Sequence, residues 1–217
     1  MEDDVRVLEI VKIDKKKAKV LFDNNECLVL YFGEIKKNGI CPDEEIDDLL
    51  YDELYDIVRK RARERSLYLL QSRDYSESDM RRKLTMSYYP VRIVDETLEF
   101  LKKYSYIDDE RYTKNIIENS SRYRSRKDIK MRLHRKGIAK DLISDLISDV
   151  NIDEVGIIRT KYIGKIEEFK NGDDKTRKKI YNMLLRKGFS YDDINTALNS
   201  ELSTKYVTVQ SQPRKLL

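Results

Sequence analysis

The chain has 217 residues, 39% of them charged and 40% hydrophobic, with 7 Gly, 3 Pro and no Trp. That is enough for one large or two small domains with a real core, and so little turn-forming residue argues for helices and against an all-β fold. The net charge of +4 hides an asymmetry: residues 1–58 hold 16 acids against 8 bases, so the remainder carries +12, as expected of a body that meets a polyanion or an acidic protein surface.

The N-terminus, "MEDDVRVLEI", is acidic and lacks a hydrophobic signal core, and no run of about 18 apolar residues occurs. A soluble, cytoplasmic protein is expected. "VRVLEIVKI" (5–13), "KAKVLF" (17–22) and "ECLVLYF" (26–32) are short β-branched or aromatic runs separated by the polar stretches "DKKK" and "DNN". They predict a three-stranded antiparallel sheet, too small to stand without packing on something else. "GEIKKNGICP" reads as a lead-out, with Gly33, Gly39 and Pro42 as breakers.

From Asp43 the period becomes 3.6. Ile46, Leu49, Leu50, Leu54, Ile57 and Val58 predict one long or slightly kinked helix over 43–72, with the basic middle "RKRARER" (59–65). Three stretches then align: "SESDMRRKLTMSYYPVRIVDETL" (76–98), "SRKDIKMRLHRKGIAKDLISDLI" (125–147) and "TRKKIYNMLLRKGFSYDDINTAL" (176–198). Offsets of 49 and 51 superpose Met80, Ile129 and Ile180, then Leu84, Leu133 and Leu184, then Val94, Ile143 and Ile194, then Leu98, Ile147 and Leu198. Each starts on a hydroxyl, Ser76, Ser125 or Thr176, the residue type that caps a helix N-terminus, with Asp79 and Asp128 resembling capping-box partners. Gly137 and Gly188 suit a left-handed helix stop, whereas the first copy has Tyr88 there and is expected to end through Pro90.

A further helix precedes each copy: the end of 43–72, then 108–121, then 153–169. A period of about 50 residues in three helices predicts three tandem three-helix repeats forming an elongated curved array behind a small N-terminal antiparallel β-sheet. The expected divisions are 1–42 (sheet), 43–105, 106–151 and 152–201 (repeats) and 202–217 (flexible tail).

The hydroxyl cap, "RRKL", the helix closing on Leu101, "IDDERY" (107–112) and "RLHRKGIAKDLI" (132–143) resemble the RecX family, bacterial regulators of the RecA recombinase. The resemblance spans roughly 60–200 and is carried by Leu133, Lys136 and Gly137 and by Ile107, Asp108, Asp109, Glu110, Arg111 and Tyr112. The departures are Ser87-Tyr88 in the first copy and a third copy without Asp-Asp-Glu-Arg. The resemblance implies a helical body lodged in the groove of the RecA–DNA filament. There it would inhibit ATP turnover and strand exchange, modulating recombination, repair and the SOS response.

"SRYRSRKDIKMRLHRKG" (121–137) carries eight Lys or Arg and one acid. A basic helix is commonly just a solvated face. Recurrence of the excess in all three copies, with few acidic neighbours at i±4, points instead to a cationic stripe for a phosphate backbone or an acidic groove. The candidate DNA- or RecA-binding residues are Arg59, Lys60, Arg61 and Arg63; Arg81, Arg82 and Lys83; Arg122, Tyr123, Arg124, Arg126, Lys127, Lys130, Arg135 and Lys136; and Lys175, Arg177, Lys178, Arg186 and Lys187. Arg126, Lys127, Lys130 and Arg135 are expected to face solvent. Tyr123 is the aromatic singled out for base contact, whereas Tyr112, Tyr162 and Tyr181 are expected between helices.

Contact with single- and double-stranded DNA would be salt-sensitive and sequence-indifferent, since no base-reading pattern is evident. Asp108-Asp109 reads as a helix cap, and "PDEEIDD" (42–48) as another helix start. Cys27, Cys41 and the lone His134 make no zinc set or triad, and "GEIKKNG" is no phosphate loop. The expectation is a monomeric, non-enzymatic protein with no metal and no cofactor. A general nucleic-acid-binding repeat protein and a protein-interaction scaffold without DNA contact are the alternatives.

Overall fold

The computed structural model describes residues 4–199. In chain order the elements are β1 (Val5–Lys12), β2 (Lys17–Phe22), β3 (Cys27–Tyr31), α1 (Phe32–Lys37) and β4 (Glu45–Ile46). Helices α2 (Asp48–Leu70), α3 (Glu77–Met86), α4 (Val91–Lys103), α5 (Asp109–Ser120), α6 (Arg126–Arg135) and α7 (Lys140–Ser148) follow. The last are α8 (Glu154–Lys161), α9 (Ile163–Asn171), α10 (Asp174–Arg186) and α11 (Tyr191–Asn199). The chain divides into two compact units after Tyr112, within the span of α5. The tail expected at 202–217 lies outside the described residues. Among the described residues no helix is long and apolar enough to cross a membrane.

The first unit begins with an antiparallel sheet ordered β3-β2-β1-β4. A bulge between Val7 and Glu9 shifts the register of β1 on β2 and leaves Leu8 exposed. The fourth strand is a correction: Val5 and Arg6 pair with Ile46 and Glu45, inside the stretch expected to be helical from Asp43. The helix starts only at Asp48, where the Asp47 carboxylate accepts the Leu50 N–H at 2.7 Å. Gly33 is no breaker either, since it sits inside α1.

One face of the sheet covers α2. Val7, Val20, Phe22, Leu28 and Leu30 share a cluster with Tyr51, Leu54, Tyr55, Val58 and Ala62 of α2 and Ile93 of α4. The sheet and the first repeat therefore hold one core in common, and the division expected at residue 42 does not separate them. A second cluster joins the end of α2 to Met80, Leu84, Val94, Leu98, Leu101 and Ile107.

In the second unit the helix expected over 153–169 is two helices, broken at Tyr162. Ile157 and Ile166 are nine residues apart and would lie on opposite faces of one continuous helix. With the break both are buried. Thr176 is not the cap of α10: Asp173 is, its carboxylate accepting the Thr176 N–H at 2.8 Å.

The repeat itself is exact in the core. All twelve residues aligned above, from Met80 to Leu198, are buried. Ser76 and Ser125 cap α3 and α6, accepting the Asp79 and Asp128 N–H groups.

The turn after the second helix is the same three times. Tyr88, Gly137 and Gly188 have φ of 65°, 76° and 88°. The next residue in each case, Tyr89, Ile138 or Phe189, donates its N–H to Leu84, Leu133 or Leu184. That is a left-handed stop closed by a six-residue hydrogen bond. The first copy keeps it without glycine, so Tyr88 carries the strain that Pro90 was expected to avoid.

Candidate nucleic-acid interface

Several cations proposed from the sequence turn out to hold the fold together. On α2, the Arg61 guanidinium bonds the Val29 carbonyl, pairs with Glu34 and lies 4.8 Å from the Tyr31 ring centroid. Arg59 pairs with Asp56 at 2.7 Å, and Arg63 lies over the Phe100 ring. On α3, Arg81 pairs with Asp95 of α4 and with Glu77, and Arg82 pairs with Asp79. The acidic partners that seemed scarce at i±4 are thus supplied at i−3, at i−4 and from other helices. Lys60 and Lys83 remain exposed, with no ion pair among the described residues.

Around α6 the same sorting applies. Arg126 was expected to face solvent, but its guanidinium donates to the Ile147 and Val150 carbonyls and so satisfies the C-terminus of α7. Arg124 pairs with Asp128 at 2.7 Å. Tyr123 has cations of its own fold against its ring, Arg124 and Lys161, each 5.2 Å from the centroid. Hydrogen bonds from Ser120 and Arg124 hold its phenol below the usual tyrosine range. Arg122, Lys127 and Arg135 are exposed and Lys130 half-buried, and none has an ion pair among the described residues.

On α10, Arg177 bonds the Phe169 and Lys170 carbonyls and approaches Asp174, whereas Lys175, Lys178, Arg186 and Lys187 are exposed without an ion pair among the described residues. The free cations fall at matching places. By the 51-residue offset, Lys127 coincides with Lys178 and Arg135 with Arg186. In the first repeat those two places hold Ser78 and Met86.

The acidic pairs before the repeats build joints. Asp108 caps α5 by accepting the Arg111 N–H at 2.9 Å, as expected. Asp109 does something else: it accepts the Glu77 N–H at 2.8 Å, at the first turn of α3. The third repeat does the same with Asp153 and Glu154. Asp153 caps α8 through Gly156, and Glu154 accepts the Arg126 N–H at 2.6 Å, at the first turn of α6.

The Asp-Asp-Glu-Arg start thus has a shortened counterpart in the third copy, which sequence reasoning missed. The missed signal was Ile152-Asp153-Glu154, equivalent to Ile107-Asp108-Asp109 with both isoleucines buried. Burial pushes the Asp109 and Glu154 carboxyls above the usual carboxylate range, against the bonded N–H groups, which act the other way.

A second joint lies where α10 ends. The Ser125 hydroxyl donates to the Lys187 carbonyl at 2.7 Å, so the N-terminus of α6 meets the C-terminus of α10. A Cβ at Gly188 would stand 2.6 Å from Ser125 Oγ. Tyr112 is buried as expected. Tyr181 is half-buried on α10 against α11, its hydroxyl donating to Asn195, and it also lines an open pocket with Phe169 and Tyr191.

Among the described residues no group of three His, Cys, Asp or Glu could hold a metal ion. Capped three-helix units in tandem, with free cations at repeating places, define a helical-repeat protein. Residues 62–101 match the model for the first three-helix domain of RecX, and residues 159–198 the model for its third. The chain is 28% identical to "Regulatory protein RecX" of Clostridium beijerinckii over 93% of this chain and 95% of that one. It is 26% identical to the protein of the same name from Clostridium perfringens over 92% and 97%. A crystal structure of regulatory protein RecX shares the fold with a TM-score of 0.61 at 18% identity, covering 90% of this chain and all of the other. The crystal structure of RecX from Lactobacillus salivarius gives 0.56 at 22% identity, over 64% of this chain and 94% of that one. Two of its three-helix units thus match RecX domain models, and over more than nine-tenths of its length the chain is similar to regulatory proteins of the RecX family.

Proposed function

We propose that the protein binds the RecA–DNA filament in its helical groove and inhibits RecA ATP turnover and strand exchange. Similarity to the RecX regulatory proteins supports the choice of partner. The observation that carries the binding mode is the pair of matching free cations, Lys127 with Lys178 and Arg135 with Arg186, at the same places of successive repeats. Cations so spaced and not neutralised within the chain suit a polyanion that itself repeats. No base-reading pattern is evident in the sequence, so contact with DNA is sequence-indifferent and weakens as salt rises.

The interface is narrower than composition suggested. It consists of Lys60, Lys83, Arg122, Lys127, Lys130, Arg135, Lys175, Lys178, Arg186 and Lys187, while Arg59, Arg61, Arg63, Arg81, Arg82, Arg124, Arg126 and Arg177 are held by their own chain. The test is RecA ATPase and strand exchange on single-stranded DNA with and without the protein. Inhibition at substoichiometric amounts supports the reading. Inhibition that excess free DNA abolishes makes the protein a general nucleic-acid binder, and no effect on either assay contradicts the reading.

A further inference from the structure

The pocket beside α10 does not belong to the repeating core. It is an open surface depression of about 350 Å³ lined by Phe169, Tyr181 and Tyr191, with Lys178 and Asn182 at its side. By the repeat offsets, Tyr181 replaces Lys130 and Arg81, Asn182 replaces Met131 and Arg82, and Tyr191 replaces Lys140 and Val91. The other two repeats fold without these aromatics, so packing does not require them. Tyr191 is 65% exposed, a large fraction for a residue whose only role would be burial.

The walls are held in place beforehand. The Tyr181 hydroxyl donates to Asn195 at 3.2 Å, and the Tyr181 and Tyr191 ring centroids stand 5.8 Å apart at 39°. Arg177, fastened to the Phe169 and Lys170 carbonyls, sits 6.0 Å from the Phe169 ring centroid. Beside them Lys175, Lys178, Asn182 and Arg186 follow one another at spacings of three and four along α10, which puts them on one face. Acids on the same helices include Asp174, which approaches Arg177, and Asp192 and Asp193 in the first turn of α11.

We infer that this pocket is a stacking site for an unpaired nucleobase of single-stranded nucleic acid, with the flanking phosphates on Lys178 and its neighbours along α10. Aromatic faces beside a cationic track are how proteins grip single strands without reading sequence. A base inside a duplex presents no free face, so the site selects unpaired strands. The inference rests on the nucleic-acid reading above and deepens it.

The test compares a labelled oligothymidylate with an abasic strand of equal length, by fluorescence anisotropy across a salt series, using the full chain. The native protein is expected to bind the thymidylate more tightly. Tyr191→Ala is expected to weaken thymidylate binding about 5- to 150-fold and to erase the preference over the abasic strand, leaving the salt slope unchanged. Tyr191→Phe should retain the preference, and unchanged thermal melting of both variants shows the fold to be intact. Lys178→Ala should weaken both strands alike and lower the salt slope by about one. Tight binding of both strands without preference, or a Tyr191→Ala protein that still prefers thymidylate as the native one does, overturns the pocket alone. Failure of the native protein to bind either strand overturns the nucleic-acid reading with it.

Discussion

The second helix of the first repeat and those of the other two bury the same residues and show solvent different ones. On α3, Arg81 and Arg82 are tied to acids, and Met86 at its end, Tyr88 in the turn and Val91 at the start of α4 are exposed at 71%, 55% and 70%. On α6 and α10 the places of Ser78 and Met86 carry Lys127 and Arg135, or Lys178 and Arg186, and the turn closes on glycine. One scaffold therefore serves two surfaces, a mixed apolar and ion-paired one and a cationic one. The core positions define the repeat, whereas the outer positions diverge, some of them, such as Arg81 and Arg126, tying helices together and others, such as Lys127 and Lys178, left to solvent.

The largest effect that would break this comparison lies in the core. Leu84→Ala, Leu133→Ala and Leu184→Ala should each cost about 2–5 kcal/mol in urea unfolding, because all three side chains are fully buried. A core role confined to one repeat would show as a small loss at the other two.

Next comes the distinction between a structural and a surface cation. Arg126→Ala should cost about 1–3 kcal/mol, since it strips the Ile147 and Val150 carbonyls of a charged donor. Its neighbour Lys127→Ala should stay within about 0.5 kcal/mol of the native protein. Equal losses in chemical denaturation would erase the distinction.

The turns sharpen it further. Tyr88→Gly should stabilise by up to about 1 kcal/mol by relieving a left-handed aromatic residue. Gly188→Ala should destabilise by more than that, because φ of 88° and the Ser125 hydroxyl both oppose a side chain. Thermal melts of the two variants should therefore move in opposite directions.

The smallest effect is electrostatic. Folding raises the Asp109 carboxyl, so between its unfolded and folded titrations the native state binds the extra proton, and this group's contribution to stability falls as pH rises through that window. Asp109→Asn keeps an acceptor for the Glu77 N–H without the buried charge. It should melt slightly above the native protein at pH 7, and the difference should close as pH falls toward 4. A gap that widens on acidification would contradict the assignment.

The residues made much of this legible. Twelve core positions could be read because the period recurs without a gap inside any copy, and two of the three turns because glycine marks a left-handed residue. Tyr88 hid the third, since no residue type signals a strained turn that its surroundings impose. The two-residue β4 was invisible because it exists only by pairing with β1 forty residues earlier.

The site was less legible than the fold. Whether an arginine is free depends on what other elements bring to it: Asp95 to Arg81, Glu34 to Arg61, the Ile147 carbonyl to Arg126. Helical periodicity places such residues on a face but does not name their partners. The aromatic pocket was missed because its members come from α9, α10 and α11 and follow no shared spacing.

The most direct measurement is RecA ATPase on single-stranded DNA with a protein in which Lys127, Arg135, Lys178 and Arg186 are all changed to Glu. The variant should keep native circular dichroism and melting yet lose inhibition at concentrations where the native chain inhibits. Inhibition equal to the native protein's, at the same salt, would contradict the claim that these four cations meet the filament.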